Sequence, residues 1–145
     1  MTAWCLRLHI PGVPQPQGSL TYMRGKYVPD NRHLAAWRET ARLHALAHTN
    51  LLTTPWDTTG PFRIRLHFTF PRPESHYHHR KEGRTLRTTA PHHHTTTPDL
   101  DKLVRAIGDA GKNILWTDDR VITSIIATKT WTERDAGADL TVIAL

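Results

Sequence analysis

The sequence contains a single cysteine, Cys5, among 145 residues. One thiol excludes an internal disulfide and agrees with a reducing cytoplasm. The sequence also lacks any run that approaches the ~20 apolar residues needed to span a bilayer. Its first residues lack the basic segment and the long apolar run of a secretory signal. We therefore expect a cytoplasmic protein without a membrane partner.

Acidic residues are the second scarce class. The chain has 13 Asp and Glu against 19 Lys and Arg, with a formal net charge of +6 and a pI near 10.0, and it also has 11 His. A basic surface favours a polyanionic partner, nucleic acid first, although charge alone also fits a merely soluble basic protein. A chain of this length is most economically one domain, residues 1–145, that buries its own core.

Hydrophobic periodicity predicts an α/β (α+β) fold. Apolar alternation of period two predicts strands over 3–10, 62–70, 121–130 and 138–145, and residues 21–28 suit a short hairpin. Apolar residues at helical spacing predict helices over about 32–48, capped by Asp30 or Asn31, and over 99–113. We expect a small mixed sheet of about four or five strands, with two main helices packed on one face and the last two strands paired as an antiparallel hairpin.

Residues 72–98 are almost without apolar side chains. A connection of this length without periodic structure is usually functional or disordered, and its cations predict a mobile basic loop near DNA. Arg84 and Arg87 are candidate DNA contacts in this loop. His94, the last of three consecutive His, is a further candidate; Zn²⁺ binding and an ordinary polar loop are the alternatives.

Five of the 13 acidic residues fall between positions 99 and 119. Asp99 and Asp101 stand at the predicted start of the second helix, and Asp118 and Asp119 precede the next strand. A helix of ~15 residues spans ~22 Å, so the two pairs approach each other only if that strand runs back along the helix. Converging carboxylates without Cys or His suit a hard cation, Mg²⁺ or Mn²⁺, which polarises a phosphodiester.

Simpler roles exist for the same residues. Asp99 is a suitable N-cap residue, and Asp101 in the first turn would complement the helix dipole. Arg105 could form an ordinary i, i+4 ion pair worth a few tenths of a kcal/mol. The functional alternative gives Arg105 or Lys102 the task of neutralising charge that develops on a phosphate. An Asp-x-Asp motif also occurs in nucleotide-sugar glycosyltransferases, but this chain has no Gly-rich phosphate loop.

Two segments carry a resemblance to a known family. Residues 98–106 read Pro-Asp-Leu-Asp-Lys-Leu-Val-Arg-Ala, and residues 115–122 read Leu-Trp-Thr-Asp-Asp-Arg-Val-Ile. Together they resemble the RusA-type Holliday junction resolvases, endodeoxyribonucleases of bacteria, phages and prophages. The resemblance implies a homodimer with Mg²⁺-dependent active sites. Such an enzyme makes paired symmetric nicks in branched, four-way DNA during recombination and repair.

The same resemblance implies roles for individual residues. Asp99, Asp101 and Asp119 become the catalytic, metal-binding carboxylates, with Asp118 beside them. Arg105 stands where the family commonly has Lys, and because Arg cannot act as an acid–base group, a phosphate clamp is its favoured role.

Residues 108–113 depart from the family pattern, which usually has a more apolar Asp-Ala-Leu there, and their two Gly weaken the end of the helix. Two alternatives to a resolvase stay open. One is a junction-binding protein that has lost catalysis, and the other is a metal-dependent glycosyl or nucleotidyl transferase.

Overall fold

Two helices lie against one face of a four-stranded mixed sheet in the computed structural model, which describes residues 4–18, 20–29 and 31–145. The helices are α1 (Leu34–Asn50) and α2 (Leu100–Gly111). The strands of the sheet are β1 (Cys5–Pro11), β4 (Phe62–Pro71), β7 (Ile122–Thr132) and β8 (Gly137–Ala144). Two small hairpins pair β2 (Leu20–Met23) with β3 (Lys26–Pro29), and β5 (Tyr77–Arg80) with β6 (Gly83–Leu86). The predicted α+β class, the mixed sheet and the hairpin over 21–28 are confirmed.

β4 is one of the two inner strands of the sheet, whose order is β1-β8-β4-β7. It runs antiparallel to β8 and parallel to β7. Its alternation of apolar and polar residues sends one set of side chains into the core, each 5% exposed or less: Phe62, Ile64, Leu66, Phe68 and Phe70. These side chains pack against the apolar faces of both helices, so the strand predicted over 62–70 provides the sheet side of the hydrophobic core.

The predicted antiparallel hairpin of the last two strands is wrong, because β4 lies between β7 and β8. Residues 133–136 link the two strands. Two strands that flank a third are ~9.6 Å apart, and four extended residues reach ~13 Å, so this short link can pass over the end of β4. The arrangement makes β4, α2 and β7 a parallel strand–helix–strand unit.

α1 starts two residues later than predicted. The N-cap residue is His33, without a side-chain capping bond, so the predicted cap by Asn31 is wrong; Asn31 Oδ1 accepts instead from the backbone N–H of His33 at 3.0 Å. Asp30 lies outside the described residues. The predicted apolar stripe is buried, with Trp37 4% exposed. Within the described residues, no helix combines the length and the apolarity that crossing a bilayer requires.

Residues 72–98 contain regular structure, so the prediction that this segment lacks it is wrong. A 3-10 turn at Glu74–His76 leads into the β5–β6 hairpin. The hairpin has no apolar stripe and is stabilised by one buried aromatic residue, Tyr77. The Arg84 guanidinium lies 4.3 Å from the centroid of the Tyr77 ring, and Arg84 Nη1 donates to Glu74 Oε1 at 2.7 Å. The mobility of this segment stays a prediction.

α2 ends at Gly111 because the chain folds back over its last turn. Trp116 is fully buried there, and its Nε1 donates to the carbonyl of Gly108 at 2.9 Å. The backbone N–H of Leu115 donates to the carbonyl of Gly111 at 2.8 Å. A Cβ on Gly111 would lie 2.5 Å from Trp116 Cζ2, so any larger residue here would force the indole or the helix to move.

We expect Gly111→Ala to lower the free energy of unfolding by about 1–3 kcal/mol, because the added methyl overpacks a buried indole. Urea denaturation measures this change. Gly108→Ala is the matched control in the same helix: its Cβ would lie 3.7 Å from the Asp119 Cβ, an ordinary contact, and Ala in a helix gains about 0.5–1 kcal/mol over Gly. Equal effects of the two substitutions would contradict the proposed close packing of Trp116.

Candidate active site

The first turn of α2 presents two of the predicted carboxylates. Asp99 is the N-cap residue, and its backbone carbonyl accepts from the N–H of Leu103 at 3.2 Å. Its side chain makes no capping hydrogen bond; instead Oδ2 lies 3.3 Å from Lys102 Nζ. Asp101 lies in the first helical turn and is exposed. The carboxylate of Asp99 is therefore not used to cap the helix.

A groove of ≈ 660 Å³ separates α2 from the β7 edge of the sheet. We call it the carboxylate groove. Three charged side chains line it: Asp101 and Arg105 from α2, and Asp119 from the turn before β7. The rest of its lining is a glycine and apolar residues: Ile64, Leu100, Val104, Gly108, Ile122, Ile125 and Ala127.

The fold-back at Trp116 brings Asp119 to the groove. The Asp119 Cβ lies 3.7 Å from the place that a Cβ on Gly108 would occupy, so Asp119 lies beside this turn of α2. Asp101, Arg105 and Gly108 follow i, i+4, i+7 spacing on one side of α2. Asp101 and Gly108 are therefore about 10 Å apart along the helix axis, with Arg105 between them.

Asp118 has different partners from Asp119. It caps the 3-10 turn at Asp119–Val121, where Oδ1 accepts from the backbone N–H of Arg120 at 3.1 Å, and its Oδ2 lies 3.2 Å from Lys112 Nζ. The hydrogen bond from Arg120 and the Lys112 ammonium hold the pKa of Asp118 below its usual value. Asp118 closes the turn, whereas Asp119 lines the groove.

Asp99 lines a second cavity of ≈ 550 Å³, on the other side of the helix entrance. That cavity is formed mainly by the Pro-rich segment 13–18, with Lys102 and Phe70. Within the described parts of the chain, no group of three or more His, Cys, Asp or Glu is placed to hold a metal ion. Mg²⁺ commonly takes one or two carboxylates plus substrate phosphate and water. The hard oxygens of Asp101 and Asp119 in one groove suit that mode of binding.

Residues 93–98, the pre-helix loop, are fixed to the sheet just before Asp99. Lys129 Nζ on β7 donates to the carbonyls of Thr96 at 2.6 Å and Pro98 at 2.8 Å. Trp131 Nε1 donates to the carbonyl of His93 at 3.2 Å. Sequence reasoning missed Lys129, although a signal was present. In the alternation 125, 127, 129, 131 it is a charged residue on the side of β7 that faces the helices.

His94 is buried, at 6% exposure, so it supports this loop from within the protein. Its ring stacks on Trp131 at 3.8 Å between centroids and meets Phe70 edge-on at 4.8 Å. Among residues 4–18, 20–29 and 31–145, its Nδ1 finds no hydrogen-bond partner. Burial, with the neighbouring Lys129 ammonium, lowers the pKa of His94 below the usual value for histidine.

The other candidate DNA contacts lie in and beside the β5–β6 hairpin. Arg87 Nε donates to the carbonyl of Tyr77 at 3.1 Å, and Arg84 binds Glu74, so both side chains hold the hairpin together. Arg80 and Lys81 are exposed at its tip.

Comparison with known proteins gives one family. The family model of endodeoxyribonuclease RusA matches residues 10–143 of the 145-residue chain. A search of the curated proteins finds no match. The matched region includes every residue of the carboxylate groove.

The lowered pKa of His94 predicts a pH-dependent stability. Below about pH 6.5 the unfolded chain takes up a proton on this residue before the folded protein does. The contribution of His94 is therefore fully present above that pH and falls as the pH drops towards the lowered folded-state value. His94→Phe keeps a ring beside Trp131 and removes the titratable imidazole. As the pH falls from 7.5 to 5.5, we therefore expect the free energy of unfolding to decrease less in this variant than in wild type. Urea denaturation across this range measures both, and identical pH slopes would contradict the prediction.

Proposed function

Because the chain belongs to the RusA family of endodeoxyribonucleases, hydrolases of DNA phosphodiester bonds whose members resolve Holliday junctions, we propose that it resolves four-way junctions by paired symmetric nicks with Mg²⁺. The role of this activity would be DNA recombination and repair. Paired nicks need two active sites, so we propose a homodimer with one site in each subunit. Family membership leaves the transferase alternative without support.

The observation that carries the proposal is the shared groove of Asp101, Arg105 and Asp119. Two carboxylates provide hard oxygen ligands, and the guanidinium of Arg105 in the same groove offers a planar pair of donors that matches phosphate oxygens. Of the two carboxylates before β7, the arrangement supports Asp119 as the metal ligand, because Asp118 is engaged with Lys112 and Arg120.

Each residue of the groove then has a defined task. Asp101 and Asp119 would hold Mg²⁺, with Asp99 as the third candidate ligand. When bound, the ion would polarise the phosphodiester and stabilise the leaving oxygen. Because an arginine does not act as an acid–base group, the proposed role of Arg105 is to bind the scissile phosphate and offset its developing charge. Lys102, which pairs with Asp99, adds positive charge at the helix entrance.

The β5–β6 hairpin is placed to extend the DNA contact. His76, just before β5, meets Trp131 edge-on at 5.2 Å, and Trp131 packs on the loop that leads to Asp99. The hairpin therefore stands at the Asp101 end of α2. We assign backbone contacts to Arg80 and Lys81 at its tip, with Arg84 and Arg87 shaping the hairpin.

One observation favours junction binding without catalysis as the second candidate function. Asp99 lines a different cavity from Asp101 and Asp119, so the three carboxylates are not gathered in advance. This candidate predicts salt-sensitive junction binding without turnover.

Substitution of single carboxylates tests the catalytic proposal. We expect Asp101→Asn and Asp119→Asn each to reduce cleavage of a synthetic four-way junction in Mg²⁺ by ~10³-fold, since each removes an ionised ligand while keeping the side-chain shape. Asp118→Asn, the matched control, should lose less than ~10-fold, because its capping oxygen is retained. Wild-type protein that binds the junction without cutting it would favour the second candidate. Undiminished cutting by Asp101→Asn would overturn the assignment of the site.

The salt dependence of binding tests the hairpin. Each phosphate contact contributes about 0.9 to the slope of log K against log salt concentration for duplex DNA. We expect Arg80→Gln with Lys81→Gln to reduce the slope for junction binding by up to about 1.8. Arg7→Gln with Arg65→Gln removes the same charge from the sheet face that points away from the helices, and should change the slope by much less. Equal reductions in the two double variants would mean that the tip makes no specific contact.

A further inference from the structure

Lys129 occupies an unusual place for a charged residue. It lies on the helix-facing side of the edge strand β7, between Ala127 and Trp131, where its register partner on β4 is the fully buried Phe68. A lysine ammonium on such a face has a desolvation cost that hydrogen bonds must offset. We propose that Lys129 is a positioning residue for the carboxylate groove, which fixes the backbone that leads into Asp99 and Asp101. This inference rests on the function proposed above.

Two hydrogen bonds carry the inference. Lys129 Nζ donates to the carbonyl of Pro98 at 2.8 Å, and that carbonyl belongs to the same planar peptide unit as the N and Cα of Asp99. The second bond, to the carbonyl of Thr96 at 2.6 Å, fixes the backbone two residues earlier. One side chain from a distant strand therefore holds the backbone directly before α2, and the backbone N–H of Gln17 donates to the carbonyl of Lys102 in the first turn at 2.9 Å.

The position of Asp101 depends on that direction. The carbonyl of Asp99, in the next peptide unit, accepts the hydrogen bond of Leu103, so a displacement of the Pro98–Asp99 peptide shifts the residue that begins the first turn of α2. Asp101 lies in that turn. A 1 Å misplacement of a catalytic group can cost ~10²-fold in rate, so a modest tilt of the turn is enough to impair cleavage.

Other contacts of the pre-helix loop lie further from Asp99. Trp131 holds the carbonyl of His93, and the ring of His94 stacks on Trp131. His93 also forms an isolated antiparallel bridge with Thr130. These contacts fix the beginning of the loop, whereas Lys129 fixes its end, where the carboxylates begin. Removal of the Lys129 amine alone should therefore loosen residues 96–103 while residues 93–94 stay attached.

Hydrogen–deuterium exchange of the metal-free protein tests this directly, without any dependence on cleavage. Lys129→Met keeps the length of the side chain and removes its donors, and we expect faster exchange in peptides covering 96–103. Thr128→Met is the matched control, because it places Met one residue away on the exposed, opposite side of β7. Unchanged exchange in Lys129→Met overturns the proposal. If Lys129→Met does not fold, Lys129→Gln, which keeps N–H donors on a shorter stem, replaces it with the same expectation.

Measurements of junction cleavage and junction binding then distinguish a positioning role of Lys129 from a direct contact with DNA. We expect Lys129→Met to lower kcat on a four-way junction by ~10²-fold and to raise the Mg²⁺ concentration for half-maximal rate, with partial rescue in Lys129→Arg. The salt slope for junction binding should stay at the wild-type value. A slope reduced by about 0.9 with unchanged exchange would make Lys129 a phosphate contact and overturn the positioning role.

A failure of the proposed function itself would look different. In that case wild-type protein does not cut junctions, yet the exchange comparison still decides whether Lys129 fixes residues 96–103. If wild type cuts and Lys129→Met cuts equally well with normal exchange, only the inference about Lys129 is wrong.

Discussion

The contact between the indole of Trp116 and the bare α-carbon of Gly111 determines where the two halves of the candidate site meet. The indole lies so close that a Cβ on Gly111 would stand 2.5 Å from Cζ2, and its N–H binds the carbonyl of Gly108. The chain is thereby folded back onto the helix it has just left, and Asp119 comes to lie beside Gly108. In isolation both glycines weaken a helix, but Gly111 admits an indole that a larger residue would exclude.

The opposite end of α2 is fixed by different physics. There the chain arrives through a polar loop whose beginning is held by the buried ring of His94, stacked on Trp131, and by the Trp131–His93 hydrogen bond. Nearer Asp99, two charge-assisted hydrogen bonds from Lys129 hold the backbone. The position of Asp119 therefore depends on the hydrophobic contact of Trp116, and the position of Asp101 depends on a polar clamp, the two hydrogen bonds of Lys129. β7 provides the clamp, and the turn that precedes it carries Asp119.

Periodicity predicted what depends on local alternation. The strand over 62–70, both helices and the faces they bury follow from side chains that repeat at two or at 3.6 residues. Strand order does not follow, because the short 133–136 link fits both a direct hairpin and a crossing over β4. The β5–β6 hairpin was missed because one buried ring, Tyr77, and its Arg84 partner stabilise it, and a single residue has no period. Asp118 and Asp119 are chemically identical and adjacent in sequence, so only the path of the turn distinguishes them.

The separation of the carboxylates has a physical advantage for a protein that must fold before it binds DNA. Three ionised carboxylates gathered in one pocket repel one another, and without a cation that repulsion raises their pKa values or opens the pocket. Here Asp99 pairs with Lys102, Asp118 pairs with Lys112, and Arg105 lies between Asp101 and Asp119. The positive charges make the acidic segment compatible with a stable fold. Under the proposed function, an approaching polyanion would add negative charge to the groove, so a divalent cation would gain affinity when DNA is present. The coupling would be reciprocal, and the cation would strengthen DNA binding by the same factor.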